Sequence, residues 1–113
     1  MGNLVLHIAK EYSRCPGARY ESEGEFSGEK FREELLLPRL KEAIGKGVML
    51  EVVLDGSAGY STAFIEEAFG GLIRKERMTL QEIEDHLHII SDEDSTYIDD
   101  IKNYLRNAWE HHS

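Results

Sequence analysis

With one cysteine, two prolines and one tryptophan in 113 residues, the chain is short of the residue types that mark several protein classes. The single thiol, Cys15, can neither close an internal disulfide nor build a cysteine-rich zinc site. A disulfide scaffold and a zinc ribbon are therefore excluded, and a reducing, cytoplasmic setting is expected. No window approaches the roughly 20 apolar residues of a membrane span, and no basic segment leads into a long apolar run. The expectation is a protein neither exported nor membrane-spanning. Basic residues run short in one half only: residues 1–50 carry eight Lys+Arg and eight Asp+Glu, residues 51–113 five and fourteen, so the formal charge of −9 arises entirely in the second half. Without a basic stripe to replace phosphate counterions, nucleic acid is not an expected partner. A basic protein surface is one, although acidity of this kind also serves solubility alone. Repeats, low-complexity tracts and a flexible linker are missing too. With 41% hydrophobic and 31% charged residues, the composition is that of one soluble globular domain spanning residues 1–113.

What is present alternates between strand and helix patterns. "NLVLHIA", Asn3 to Ala9, reads as a strand, and "ARYES" beyond Pro16-Gly17 as a second one, the two forming a hairpin. Ser27 can cap a helix running from Gly28 to about Ile44, with Leu36, Leu40, Ala43 and Ile44 facing the core. Pro38 predicts a kink after "ELLL", and Gly45 and Gly47 an end. "VMLEVVLD", Val48 to Asp55, is nearly all apolar and predicts a central strand covered on both faces. In the next helix Phe64, Ile65, Ala68, Phe69, Leu72 and Ile73 make one apolar face, which leaves Glu66, Glu67, Arg74 and Lys75 for the other side. Thr79 and Glu82 form a capping-box pattern for a short helix from Leu80 to Asp85, "HLHII" returns to strand, and Thr96 to about Glu110 is a last amphipathic helix. This order predicts an α/β sheet in which the strands around Leu50–Leu54 and Leu87–Ile90 run parallel through right-handed crossovers.

Chemistry concentrates at "GSAGYST", Gly56 to Thr62, where a strand turns into a helix, and four readings compete there. The loop could cradle an anion on the helix N-terminus, but it has no Walker lysine and no dinucleotide spacing, and Glu66 and Glu67 follow at the positive end of the dipole. Ser61 could be a nucleophile, but "GYSTA" lacks the second glycine of an elbow, and no carboxylate is arranged behind His86 or His88. Those two histidines with Asp85 are a low-specificity metal set. Glu66 and Glu67 could do acid–base work, but adjacent helical residues point about 100° apart. The fourth reading is a phosphorylation switch at Ser61 or Thr62, and its plain counterpart is a helix cap contributing about 1 kcal/mol. Gly70 and Gly71 inside a helix cost roughly 1 kcal/mol each relative to alanine and so point to close packing.

Four pieces of the chain, "ARYESEGEFSGEKFREELLLP", "VVLDGSAGYSTAFIEEAFGGLIR", "HLHII" and the terminal amphipathic helix, resemble the STAS-like family. These are small bacterial domains of unknown function related to anti-sigma-factor antagonists. The resemblance implies a small STAS-like domain, with helices packed on a four- or five-stranded mixed sheet, and a role as a protein-binding regulator. It also implies that a serine at the start of the helix after the central strand is phosphorylated by a histidine-kinase-like ATPase. Ser61, with Thr62 beside it, stands in the similar place, although the antagonists' Asp-Ser-x-Gly is Tyr60-Ser61-Thr62-Ala63 here. The expectation is thus a non-enzymatic regulatory module without cofactor or metal, whose partner is a histidine-kinase-like ATPase or a related signalling protein. Ser61 and Thr62 are its modification sites and Ser57, Tyr60, Glu66, Glu67 and Arg74 its partner-binding residues. The alternative is a small-molecule or anion sensor built on the Gly56–Ser61 loop.

Overall fold

The structure, a computed structural model, describes residues 2–112. Its first strand, β1 (Leu4–His7), stops where the His7 N–H donates to the Glu11 carboxylate at 3.0 Å and the chain coils into α1 (Ile8–Glu11). The "ARYES" segment is not a strand. It makes one isolated bridge, Ala18 to Ser27, and then a 3₁₀ turn, Glu21–Glu23, closed by the Glu23 carboxylate on the Tyr20 N–H. The carboxylate and hydroxyl groups of "ESE" supply local acceptors that compete with strand pairing. The expected hairpin is therefore replaced, and β1 pairs with β2 instead.

Ser27 caps the next helix as expected, accepting the Lys30 N–H at 3.0 Å. This helix, α2, runs on as Gly28–Phe31, a π turn Arg32–Leu36, and Leu37–Lys46. The π turn lies just before Pro38. A proline ring collides with the carbonyl four residues back, and one extra residue in the turn displaces that carbonyl without ending the helix. The expected kink thus takes the form of a π turn. Gly47, at φ 68°, ends α2 in the left-handed region, whereas Gly45 stays inside it. Then follow β2 (Leu50–Val53), α3 (Thr62–Ile65, a second π turn Glu66–Gly70, and Gly71–Arg74), α4 (Leu80–His86), β3 (Leu87–Ile90) and α5 (Thr96–His112). The Thr79–Glu82 capping box forms at the start of α4.

The sheet has the order β1-β2-β3 with every pair parallel, so among the described residues it has three strands and not the four or five of a mixed sheet. Register places Leu4, Leu50 and Leu87 in one row and Leu6, Val52 and Ile89 in another on the same face. Crossovers of one hand between neighbouring parallel strands put their helices on one side, and this face carries the core. Leu6, Leu50 and Val52 are fully buried beside Phe31, Leu40, Phe64, Phe69 and Ile101. The opposite face holds Val5, Glu51 and His88 in one row and His7, Val53 and Ile90 in the next. Val5 there is 42% exposed, His88 is exposed and Glu51 and Val53 are half-buried. β2 is central as expected, but it is fully covered on one face only. Glu51 and Val53, which make its sequence look continuous, belong to the open side.

Candidate functional site

The loop after β2 rises over the carboxyl ends of the strands and feeds α3. Gly56 and Gly59, at φ 94° and 137°, take backbone conformations that side chains resist. Ser61 is the N-cap of α3: its Oγ accepts the Phe64 N–H at 3.0 Å and donates to the Gly17 carbonyl at 2.7 Å. One hydroxyl therefore caps a helix and ties down the segment after α1, which the Ala58 N–H also holds through the Arg14 carbonyl at 2.8 Å. Thr62 is exposed. Ser57 serves the turn, its Oγ accepting the Gly59 N–H at 3.1 Å. The Tyr60 hydroxyl donates to the Leu54 carbonyl at 2.7 Å, and its ring stacks on Phe64 and meets Tyr97 edge-on. Burial pushes the Tyr60 phenol up to about 12, which suits a tyrosine that fastens the loop to the core.

These bonds bear on the anion-cradle reading. The Gly56 N–H donates to Glu93 at 2.8 Å, Ala58 to Arg14, Gly59 to Ser57 and Tyr60 to the Tyr97 hydroxyl at 3.1 Å. Four of the amides that would receive an anion are thus already engaged. The adjacent depression, about 200 Å³, is lined by Asp55, Glu93 and Asp94, charges that repel a phosphate. Asp55 itself clamps the neighbouring loop by accepting the Asp92 and Glu93 N–H groups at 3.1 and 2.8 Å.

Three of the four charged residues expected on the outer side of α3 are linked to one another, Lys75 standing apart. Glu66 pairs with Arg19 at 2.5 Å and with Arg74, and Glu67 accepts from Arg74 at 3.2 Å. Glu66 and Arg74 remain about one-fifth exposed, but the Glu67 side chain is 1% exposed. Glu67 is therefore not a surface contact residue. The π turn, which takes one more residue than an α turn, brings it round to the α2 side, where its carboxylate meets Arg32 Nη1 at 2.7 Å. Arg32 is as buried as its partner; the same Nη1 also donates to the Glu67 carbonyl at 2.7 Å, and Nε donates to Glu76 at 3.1 Å. Gly71 makes room for this guanidinium, since a Cβ there would lie 2.1 Å from Arg32 Nη1. Arg19, Arg32 and Glu76 were not expected at this site. The one sequence signal was helical spacing, which places Arg32 four residues before Leu36 and eight before Leu40.

The network sets a pH dependence. Burial alone would raise the Glu66 carboxyl, but hydrogen bonds from Arg74 and Arg19 and their charges outweigh it and hold the group below the ordinary 4.5. A lowered folded-state pKa contributes stability that is complete above the unfolded value and disappears as pH falls through the folded one. Urea midpoints should therefore fall as pH drops below 4.5, and Glu66→Gln should flatten that fall. Equal slopes for both proteins would remove Glu66 from the account.

The histidines do not converge. His86 is the last residue of α4, with Nδ1 2.9 Å from the Val48 carbonyl, and only His88 lies on β3. Among the described residues no group of three His, Cys, Asp or Glu is placed to hold a metal ion, and no helix is long and apolar enough to cross a membrane.

The family described as a STAS-like domain of unknown function matches residues 27–97, more than half of the chain. That span runs from the Ser27 cap through β2, the Ser61 junction, the Arg32–Glu67 pair and β3 into the first turn of α5. No curated protein matches the chain. No solved structure matches it either.

Proposed function

The chain belongs to the family of STAS-like domains of unknown function, and from that premise we propose that it is a non-enzymatic regulatory module that binds another protein and is switched at the Ser61/Thr62 junction. The observation that carries this reading is the double use of the Ser61 hydroxyl, which caps α3 and donates to the Gly17 carbonyl. Phosphorylation of Oγ removes the only proton it can donate and sets ~1.5 to 2 negative charges beside that carbonyl. The segment from Tyr12 to Arg19 loses a tie, while the α3 N-terminus still offers a favourable dipole to the phosphate. The binding surface changes and the core does not. Thr62, exposed one residue on, is a second acceptor. A histidine-kinase-like ATPase or a related signalling protein is the partner class that fits this device. Glu66 and Arg74, partly exposed on the same helix, are the charges such a partner would meet, with Ser57 and Tyr60 holding the loop in shape.

The test is affinity capture from the native cell extract with wild type, Ser61→Ala and Ser61→Asp/Thr62→Asp, read by mass spectrometry of partners and phosphopeptides. An ATPase retained by wild type and lost with the doubly acidic variant, together with phosphate on Ser61 or Thr62, is the expected result. Ser61→Ala should fold with a loss of ~1 kcal/mol, the worth of a cap, and carry no phosphate at position 61. Identical partners for all three proteins and no phosphate anywhere would return both hydroxyls to structural duty.

A further inference from the structure

β3 forms one edge of the sheet, pairing with β2 on one side and with no strand on the other among the described residues. The Leu54 N–H donates to the Ile90 carbonyl at 2.9 Å. In a parallel ladder both backbone groups of a residue point the same way and neighbours alternate, so the N–H and C=O of Ile89 are directed to the free edge. Natural edges are usually blunted by charge, proline or a covering element, and here the edge opens into a cleft of about 430 Å³ between α4, β3 and α5. Leu87, His88 and Ile89 all line it. Consecutive strand residues point to opposite faces, so a cleft that touches all three reaches the strand's edge itself.

The cleft has an apolar floor, with Ile83, Leu87, Ile101 and Leu105 among its lining residues, and a charged rim. Lys102 and Arg106, four residues apart and hence on one side of α5, are both exposed. Among the described residues neither makes an ion pair. Glu84 is the one carboxylate among the lining residues, and the rim gathers two of the five basic residues of a chain half that carries fourteen acidic ones.

We propose that this cleft is a docking site for an extended, acidic segment of a partner protein, which adds a fourth strand to β3 through Ile89, places apolar side chains on the floor and sets carboxylates against Lys102 and Arg106. Three features converge on that occupant. The free backbone groups call for a strand, the floor for apolar side chains, and the unpaired cations for carboxylates. A second copy is a poor fit, because a chain of net charge −9 repels itself. The site lies apart from the Ser61 junction, so the two readings stand or fall separately.

A phage-displayed library of random peptides of about eight residues, long enough for one strand, provides the probe. Selection on the purified chain should enrich Asp- and Glu-rich sequences with interspersed apolar residues, and the winning peptide should slow amide exchange at Ile89. Lys102→Glu/Arg106→Glu should weaken that peptide by roughly tenfold or more. Lys10→Glu/Lys41→Glu, the same charge change at exposed positions that do not line the cleft, should leave affinity within about twofold, and Ser61→Asp/Thr62→Asp should do the same. The proposal is overturned if nothing is enriched, if the enriched peptides are not acidic, if the α5 reversal has no effect beyond that of the lysine pair, or if Ile89 exchanges at its free rate in the complex.

Discussion

Glu67→Ala is expected to lower the unfolding free energy by about 3 kcal/mol, measured as a shift in urea midpoint at constant slope. The wild-type pair is buried on both sides and fully bonded, and no buried side-chain polar atom among the described residues lacks a partner. Removing the carboxylate leaves the Arg32 guanidinium in the core with the Glu67 carbonyl and Glu76 as its remaining close acceptors. An uncompensated buried charge costs about 3–5 kcal/mol, and the surviving contact to Glu76 places this case at the lower end. Glu67→Gln keeps an acceptor and should lose less. Replacing both partners, as in Arg32→Leu/Glu67→Leu, removes the charge problem along with the attraction and should be milder than Glu67→Ala alone. A loss below about 1 kcal/mol for Glu67→Ala would mean that Arg32 is satisfied without it.

That pair also shows how far the sequence could be read. The caps at Ser27, Ser61 and Thr79 were legible because each is a local event, one hydroxyl and a backbone N–H three residues on. The apolar face of α3 was legible for the same reason, and all six of its residues are buried. Glu67 was misplaced because a regular period of 3.6 puts it outside, whereas the π turn Glu66–Gly70 breaks that period. Arg32 stood at core spacing, but its charge argued for solvent, and only a partner on another helix resolves the conflict. Gly70 and Gly71 announced close packing without saying against what: a Cβ on the first would meet Glu66 and Arg74, on the second Arg32. The number of strands failed at "ARYES", a short and largely polar segment whose Tyr20 N–H is taken by the Glu23 carboxylate three residues on and whose Arg19 side chain reaches across to Glu66. At the site, Ser61 was placed correctly at the helix start, but its bond to Gly17, 44 residues away, leaves no trace in local pattern.

The second large effect is expected at Gly28, the first residue of α2. Its N–H donates to the Ala18 carbonyl at 2.8 Å, which fixes the helix start from one side, and α3 presses on it from the other. A Cβ built there would lie 2.4 Å from the Phe64 carbonyl oxygen and 3.2 Å from the Ala68 nitrogen. These are backbone atoms of a packed helix and cannot swing aside as a side chain could. Gly28→Ala must therefore move α2 off α3 and loosen the Phe31–Phe64 ring contact, with centroids 5.6 Å apart. Overpacking of this kind costs about 1–3 kcal/mol, and the gain in helix propensity, at most ~1 kcal/mol in a helix interior, is smaller at a first position. A net loss of about 2 kcal/mol is expected. Gly45→Ala is its control, because Gly45 sits in the same helix and the Cβ it would gain meets no neighbouring atom within 4 Å. There propensity acts alone, and the change should stabilise by roughly 0.5–1 kcal/mol. Opposite signs for the two substitutions in urea unfolding establish the α2–α3 contact. Two gains would show that the helices separate at little cost, and the tight approach at Phe64 would then not be what fixes the Ser61 junction relative to α2.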